Sequence, residues 1–298
     1  MKENKPKILV IVGPTASGKT SLSINLAKKF NGEVISADSR QVYKGLDIGT
    51  GKVTPEEMDG VPHHLIDVAD PNDTYTVYDY VRDAQIAIND IISRGKLPII
   101  VGGTFLYVDA LLGRVSTPEV PPNEALRSEL EEMTLEALLK RLETLDPERA
   151  KTIDTQNKRR LIRAIEIATA LGSVPVMKTV ELYDVCILGI SLSKEQLKQN
   201  IHERLVTRLH NGMIEEVERL HRNGLPFLRL TELGIEYKYI PEYLEQKISE
   251  AELHSYIETK SVQYAKRQMT WLKRDKTIVW VTPEESLRIG ATVTQFLQ

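Results

Sequence analysis

The stretch from Ile8 to Phe30 constrains this chain more than any other. An apolar run, Ile8 to Val12, leads into Gly13-Pro14-Thr15-Ala16-Ser17-Gly18-Lys19-Thr20. A helical pattern follows, with Leu22, Leu26, Ala27 and Phe30 on one face. Strand, glycine loop and helix in that order form a phosphate cradle. The two glycines let the backbone curl so that its N–H groups point inward. Lys19 adds a point charge, and the helix N-terminus adds the positive end of its dipole. The Thr20 hydroxyl is placed to ligate magnesium. The loop specifies a phosphate but no particular reaction.

Further short apolar runs recur at 33–37, 98–101, 185–190 and 277–281, with helical patterns between them. One helix is predicted from Thr74 to Arg94, with Val77, Val81, Ala84, Ile88 and Ile91 at helical spacing and Gly95 as its stop. Strands alternating with helices predict an α/β fold of the P-loop NTPase-like kind, a parallel sheet with helices on both faces. Residues 115–182 break that rhythm and carry no strand pattern. Helical stretches at 124–133, 134–144 and 157–171 predict an all-helical insertion in a core made of 1–114 and 183–298. A single long helix is predicted from Lys194 to Asn223, apolar at Leu197, Ile201, Leu205, Leu209, Met213 and Val217.

Bulk properties exclude several classes. The 298 residues suffice for one large domain or two smaller ones. No apolar stretch reaches the length of a membrane span. The first seven residues lack the apolar core of a signal peptide. A cytoplasmic protein without a membrane partner is therefore expected. One cysteine, Cys186, rules out an internal disulfide and any cysteine-rich zinc module. Its apolar neighbours predict a buried structural thiol. His63 and His64 are adjacent and lack metal-ligand spacing, so no metal is expected there. The net charge of −3 does not signal nucleic-acid binding, so any such surface must come from local clusters.

Ligand sites in open parallel sheets lie at the carboxyl ends of strands. Asp38, after the second apolar run, is expected there as a general base or a magnesium ligand, or simply as an Asx-turn residue. Thr104 follows Gly102 and Gly103 after the third run, and can bind phosphate, cap the next helix, or both. Lys158, Arg159, Arg160 and Arg163 place four cations within six residues, as a solvated helix face or as an RNA contact. Lys260, Tyr264, Arg267, Trp271 and Arg274 share one helical face, where cations interleaved with aromatics suit phosphate contact and base stacking.

The segments 13–20, 35–50, 62–67, 101–104, 160–166 and 265–274, in this order, resemble the tRNA dimethylallyltransferase (tRNA isopentenyltransferase) family. The stretch Ile35-Ser36-Ala37-Asp38-Ser39-Arg40-Gln41 through Thr50 carries most of the likeness. No zinc-finger pattern follows toward Gln298, and the likeness is to the bacterial type. The resemblance implies transfer of a dimethylallyl group from dimethylallyl diphosphate to the exocyclic amine of the adenine 3′-adjacent to the anticodon. It implies a catalytic set of Asp38, Thr104 and Lys19. It implies a diphosphate site of Gly13, Pro14, Thr15, Ala16, Ser17, Gly18, Lys19, Thr20 and Arg204, with magnesium on Thr20. It implies tRNA contacts at Asp38, Ser39, Arg40, Gln41, Arg127, Arg159, Arg160, Leu161, Ile162 and Arg163, and an insertion that clasps the anticodon stem-loop. A monomer is expected. The segment Leu233 to Lys238 departs from many relatives, because Glu236 stands immediately before Tyr237. Three alternatives share the loop: transfer to free adenine nucleotides, a small-molecule kinase, and a non-catalytic tRNA-binding NTPase.

Overall fold

The computed structural model describes residues 5–115, 117–175 and 181–298. They fall into two compact units, one from Met1–Leu112 with Glu181–Gln298, the other from Gly113–Val180.

The larger unit begins with β1 (Lys7–Val12), α1 (Lys19–Lys29), β2 (Gly32–Ser36), α2 (Pro55–Met58), β3 (His63–His64), α3 (Val77–Ser93), β4 (Leu97–Gly102) and α4 (Phe105–Leu111). The smaller unit holds α5 (Glu124–Glu131), α6 (Leu135–Leu145), α7 (Pro147–Thr152) and α8 (Lys158–Leu171). The larger unit then resumes with β5 (Asp184–Ile190), α9 (Lys194–His210), α10 (Met213–Arg222), α11 (Phe227–Leu233), α12 (Ile235–Leu244), α13 (Glu250–Leu272), β6 (Val279–Val281) and α14 (Ser286–Leu297).

The strands form one parallel sheet in the order β3-β2-β4-β1-β5-β6. Its central strands are apolar on both faces because helices cover both. Ile8, Val10 and Val12 face α3, α4 and the end of α13, through Tyr80, Ile88, Tyr107, Leu111 and Leu272. Leu9 and Ile11 face α1 and α14, through Ile24, Leu26, Ile289 and Val293. A third core, built on Val42, Leu46, Leu205, Val217, Tyr237 and Ile257, binds the segment after β2 to α9 through α13.

Register places the site. Val12 pairs with Gly102 and with Gly189, and Ser36 pairs with Val101, so the carboxyl ends of β1, β2 and β4 lie level. Gly102 is where two loops cross: a Cβ there would stand 2.1 Å from the Ala37 carbonyl oxygen.

The structure departs from the expected elements in several places, α2, α11, α12 and α14 among them. The two-residue β3 was not expected, being too short to show a period. The long helix from Lys194 breaks at Asn211–Gly212, where Gly212 turns left-handed (φ 94) and starts α10. The helix expected from Thr74 starts at Val77, behind a capping box of Thr76 and Asp79. The smaller unit gains α7, started by Pro147 in the first helical turn. Cys186 is buried, and burial pushes its thiol up. No helix among the described residues is long and apolar enough to cross a membrane.

Candidate active site

The loop from Gly13 to Gly18 leaves β1 and feeds directly into α1. Gly18 is left-handed (φ 87) and occupies the position before the helix, a conformation a side chain would strain. Lys19 folds back over the loop, and its Nζ donates to the carbonyls of Gly13 (3.0 Å) and Pro14 (2.7 Å). Ser17 is buried, and its Oγ has no hydrogen-bond partner among the described residues. Thr20 is exposed in the first turn of α1.

Two helices distant in sequence brace this loop. Gln268 of α13 is buried; its Oε1 accepts from Thr15 N (2.9 Å) and its Nε2 donates to Gly103 O (2.9 Å). It therefore ties the phosphate loop to the turn after β4. Asn200 of α9 donates to Ala16 O (3.0 Å), and Arg204, one turn on, donates to Thr15 Oγ1 (2.5 Å). Arg208, a further turn along, donates to Gly49 O (3.2 Å) and pairs with Glu236 (3.4 Å).

The result is a crowded cationic wall. Burial first, and then the charge of Arg204, lower Lys19 to about 8, with Asp38 opposing. Burial and the neighbouring Arg208 press on Arg204 in the same sense, against Glu236 and Asp38. A guanidinium stays charged regardless. Three cations held together with two partial counter-charges make a field that a polyanion relieves.

Asp38 follows β2. Its Oδ1 accepts from Arg40 N (2.8 Å) and Gln41 N (3.4 Å), so it forms an Asx turn, and its charge acts on both Lys19 and Arg204. The Asx turn is present, and it fixes the carboxylate beside the cationic wall. Thr104 stands at the start of α4 but does not cap it. Its hydroxyl instead accepts from Ser39 N (3.0 Å) and lies 3.2 Å from Ser39 Oγ, which joins the Asp38 turn to the end of β4. Gln41 donates to Gly51 O (3.0 Å).

The cationic run of the smaller unit is only partly a surface. Leu161 and Ile162, expected among the tRNA contacts, are instead in that unit's core. Six consecutive helical residues cover more than a full turn, so some must face inward. Arg127 and Arg163 both reach Glu166, whose carboxyl is buried and held low by the Arg127 hydrogen bond despite desolvation. Arg163 also donates to Val120 O (2.8 Å). Arg159 and Arg160 are exposed.

On α13, Lys260, Tyr264 and Arg267 are exposed, with the Arg267 guanidinium over the Tyr264 ring at 5.8 Å. Trp271 leaves that expected face. It is part-buried, and its Nε1 donates to Asp109 (3.0 Å), because this end of α13 packs on α4. Arg274 lies past the helix end.

The sequence reading missed Gln268, Asn200, Arg208, Glu216 and Tyr237. Gln268 lies in the 265–274 segment and Tyr237 in the 233–238 segment already singled out, and Arg208 stands one helical turn beyond Arg204, but none of these signals gave a role. Among the described residues no group of three or more His, Cys, Asp or Glu could hold a metal ion. His64 pairs with Glu33 (2.8 Å) instead.

The model for the IPP transferase family matches residues 41–275, and that for isopentenyl transferase matches 6–70. The chain is 43% identical over 267 residues to a tRNA dimethylallyltransferase of Geotalea uraniireducens, covering 90% of this chain and 88% of the relative. It is 44% identical over 283 residues to one from an Exiguobacterium strain, covering 93% and 90%. Among solved structures it is similar to the full-length tRNA isopentenylpyrophosphate transferase of Bacillus halodurans, with a TM-score of 0.75, 38% identity, and 98% and 97% of the two chains covered. It is also similar to a eukaryotic dimethylallyltransferase acting on tRNA, with a TM-score of 0.84, 30% identity, and 98% and 79% covered. The level strand ends carry the Gly13–Gly18 loop, the Asp38 carboxylate and the cationic wall, and with a family model matching residues 41–275 and relatives matching about nine-tenths of its length, the chain belongs to the IPP transferase family.

Proposed function

We propose that the protein transfers a dimethylallyl group from dimethylallyl diphosphate to the exocyclic amine of the adenine 3′-adjacent to the tRNA anticodon. The observation that carries this reading is the placement of Asp38. Its turn is tied through Ser39 and Thr104 to the end of β4, which Gln268 joins to the Thr15 loop, and its charge acts on both Lys19 and Arg204; this supports a base and an anion cradle serving one reacting centre.

The chemistry follows from that pairing. A neutral aryl amine is a poor nucleophile, and a positioned carboxylate takes its proton as the new bond forms. The C–N bond forms at the first prenyl carbon while the C–O bond to diphosphate breaks, and the amine proton passes to Asp38. Charge grows on the departing oxygens, where Lys19, Arg204 and the loop N–H groups stabilise it. The adenine leaves the anticodon-loop stack to reach the site, as bases modified by enzymes generally do.

Magnesium fits the donors present. Thr20 offers a hydroxyl at the head of α1, and a hard cation bound through one protein oxygen, substrate phosphates and water needs no carboxylate cluster. When bound, it would neutralise diphosphate charge. The exposed Arg159 and Arg160, and the Asp38–Gln41 turn, are proposed to face tRNA. Arg127 and Arg163 are assigned chiefly to holding Glu166.

Mass spectrometry of anticodon-loop adenosine after incubation with tRNA, magnesium and dimethylallyl diphosphate tests the reading. One added dimethylallyl group is expected, with free adenine nucleotides unmodified. Unmodified tRNA alongside rapid ATP hydrolysis would refute it.

A further inference from the structure

Glu216, on α10, is fully buried, yet nothing in the transfer chemistry calls on it. Its two oxygens accept from three consecutive backbone amides, Asp47 N (3.0 Å), Ile48 N (2.7 Å) and Gly49 N (3.0 Å), and from the Tyr237 hydroxyl (2.7 Å). Arg219, the nearest cation in ion-pair range, is 4.0 Å away and its side chain is half exposed. A carboxylate withdrawn from water is costly unless its lone pairs are filled. Here backbone amides and one phenol fill them. Met213, Val217 and Leu220 already supply the apolar face of α10, so packing alone does not explain a buried acid.

The loop held in this way leads to the site by two routes. Gly49 O accepts from Arg208, and the same guanidinium lies against Gly51, where a Cβ would stand 1.6 Å from Nη2. Arg208 in turn pairs with Glu236, the residue before Tyr237. By the second route, Gly51 O accepts from Gln41, whose backbone N–H rests on Asp38 Oδ1. The unusual Glu236-Tyr237 pair therefore acts at both ends of one network. Glu236 receives the cation, and Tyr237 receives the acid that fixes the loop beneath it.

We infer that Glu216, seconded by Tyr237, is a positioning residue: by locking residues 47–49 it sets Arg208 in the cationic wall and steadies the Asp38 turn. The inference rests on the function proposed above. The network links the anion side and the base side of the site without touching substrate. A side chain with fewer acceptor atoms cannot hold three successive amides.

Glu216→Gln is the test, because it keeps the volume and one acceptor oxygen but turns an NH2 toward a backbone amide of 47–49, which can only donate. Hydrogen exchange at 47–49, calorimetric binding of inorganic pyrophosphate with magnesium, and steady-state kinetics are read on the parent and the variant. Exchange at 47–49 should quicken while β1 and β4 keep parent protection. Pyrophosphate affinity and kcat/KM for dimethylallyl diphosphate should fall by about 10- to 100-fold per folded molecule, the scale of a roughly 1 Å misplacement. Parent-like affinity and kcat/KM, or a loss matched by the unfolded fraction, would overturn the inference. Should Glu216→Gln fail to fold, Tyr237→Phe decides by the same readouts. It leaves the carboxylate and its amides in place, so a smaller fall of the same kind is expected, and parent-like values overturn the inference. A parent that neither binds pyrophosphate nor prenylates tRNA refutes the function itself. An active parent with a parent-like variant refutes this inference alone.

Discussion

Replacing Asp38 with Asn exchanges one carboxylate oxygen for an amide nitrogen and leaves the turn intact. The two turn bonds fall on Oδ1, which an Asn carbonyl oxygen reproduces, so stability should change by less than about 1 kcal/mol. What disappears is the proton acceptor and one negative charge. Loss of a general base typically costs about 10²–10⁴-fold in rate, or roughly 3–5 kcal/mol of transition-state stabilisation. The lost charge leaves a second mark. Asp38 raises Lys19, which stands at about 8 in the parent, so the Asn variant should release the Lys19 proton at lower pH. The protonated lysine binds diphosphate, and kcat/KM reports free-enzyme ionisations. The parent kcat/KM should therefore fall as pH rises past about 8, and the variant's residual rate should fall earlier. The assay is prenylation of an anticodon stem-loop across a pH series, with tRNA affinity and thermal unfolding measured alongside. A variant kcat near the parent's would remove Asp38 as the base. An unshifted alkaline limb would show that its charge does not reach Lys19.

Three other outcomes follow from particular contacts. Gln268→Ala orphans the buried Gly103 carbonyl, at about 1–3 kcal/mol, and the part-buried Thr15 amide, at less, so the urea midpoint should drop by the equivalent of about 2–4 kcal/mol and pyrophosphate affinity should fall with it. Replacing both Arg159 and Arg160 with Ala should weaken tRNA binding and flatten its salt dependence by about 1–2 units of slope, measured by filter binding across salt. An unchanged slope would take them off the RNA surface. Glu33 is buried among Arg94, Lys96 and His64, whose hydrogen bonds, Arg94's foremost, hold its carboxyl well below the usual range; because those partners are part-exposed, Glu33→Gln should cost about 1–3 kcal/mol by chemical denaturation. Because its folded pKa is depressed, the parent's share of that stability is present above the unfolded carboxylate pKa of about 4.3 and is lost as pH falls toward the folded value. The variant's stability should thus be flatter than the parent's below about pH 4, and parallel curves would contradict the assignment.

Each part of the phosphate cradle lies within a few residues of the next, so strand, loop and helix could be read from Ile8 to Phe30 without knowing what surrounds them. The position of Asp38 was legible for a related reason. A residue just past an apolar run in a parallel sheet must emerge at the carboxyl edge, and there Asp38 forms an Asx turn beside Lys19 and Arg204. Helical period carried less. It placed Arg159, Arg160, Leu161 and Ile162 in one basic run but could not say which side packs, and the fold sent the two apolar residues into the core. It aligned Trp271 with Tyr264 and Arg267, yet α13 turns that end toward α4 and Asp109. The bracing of the site was beyond any local pattern. Gln268 lies 253 residues from Thr15, and Glu216 lies 167 residues from Gly49. Nothing near either residue predicts its partners, because a buried polar side chain is defined by the backbone groups it satisfies. Those groups meet only when β1, β4, α9, α10, α12 and α13 have closed around the loops. Sequence thus determined the chemistry available at each strand end, while tertiary packing decided which distant amides, carboxylates and guanidinium groups hold that chemistry in place.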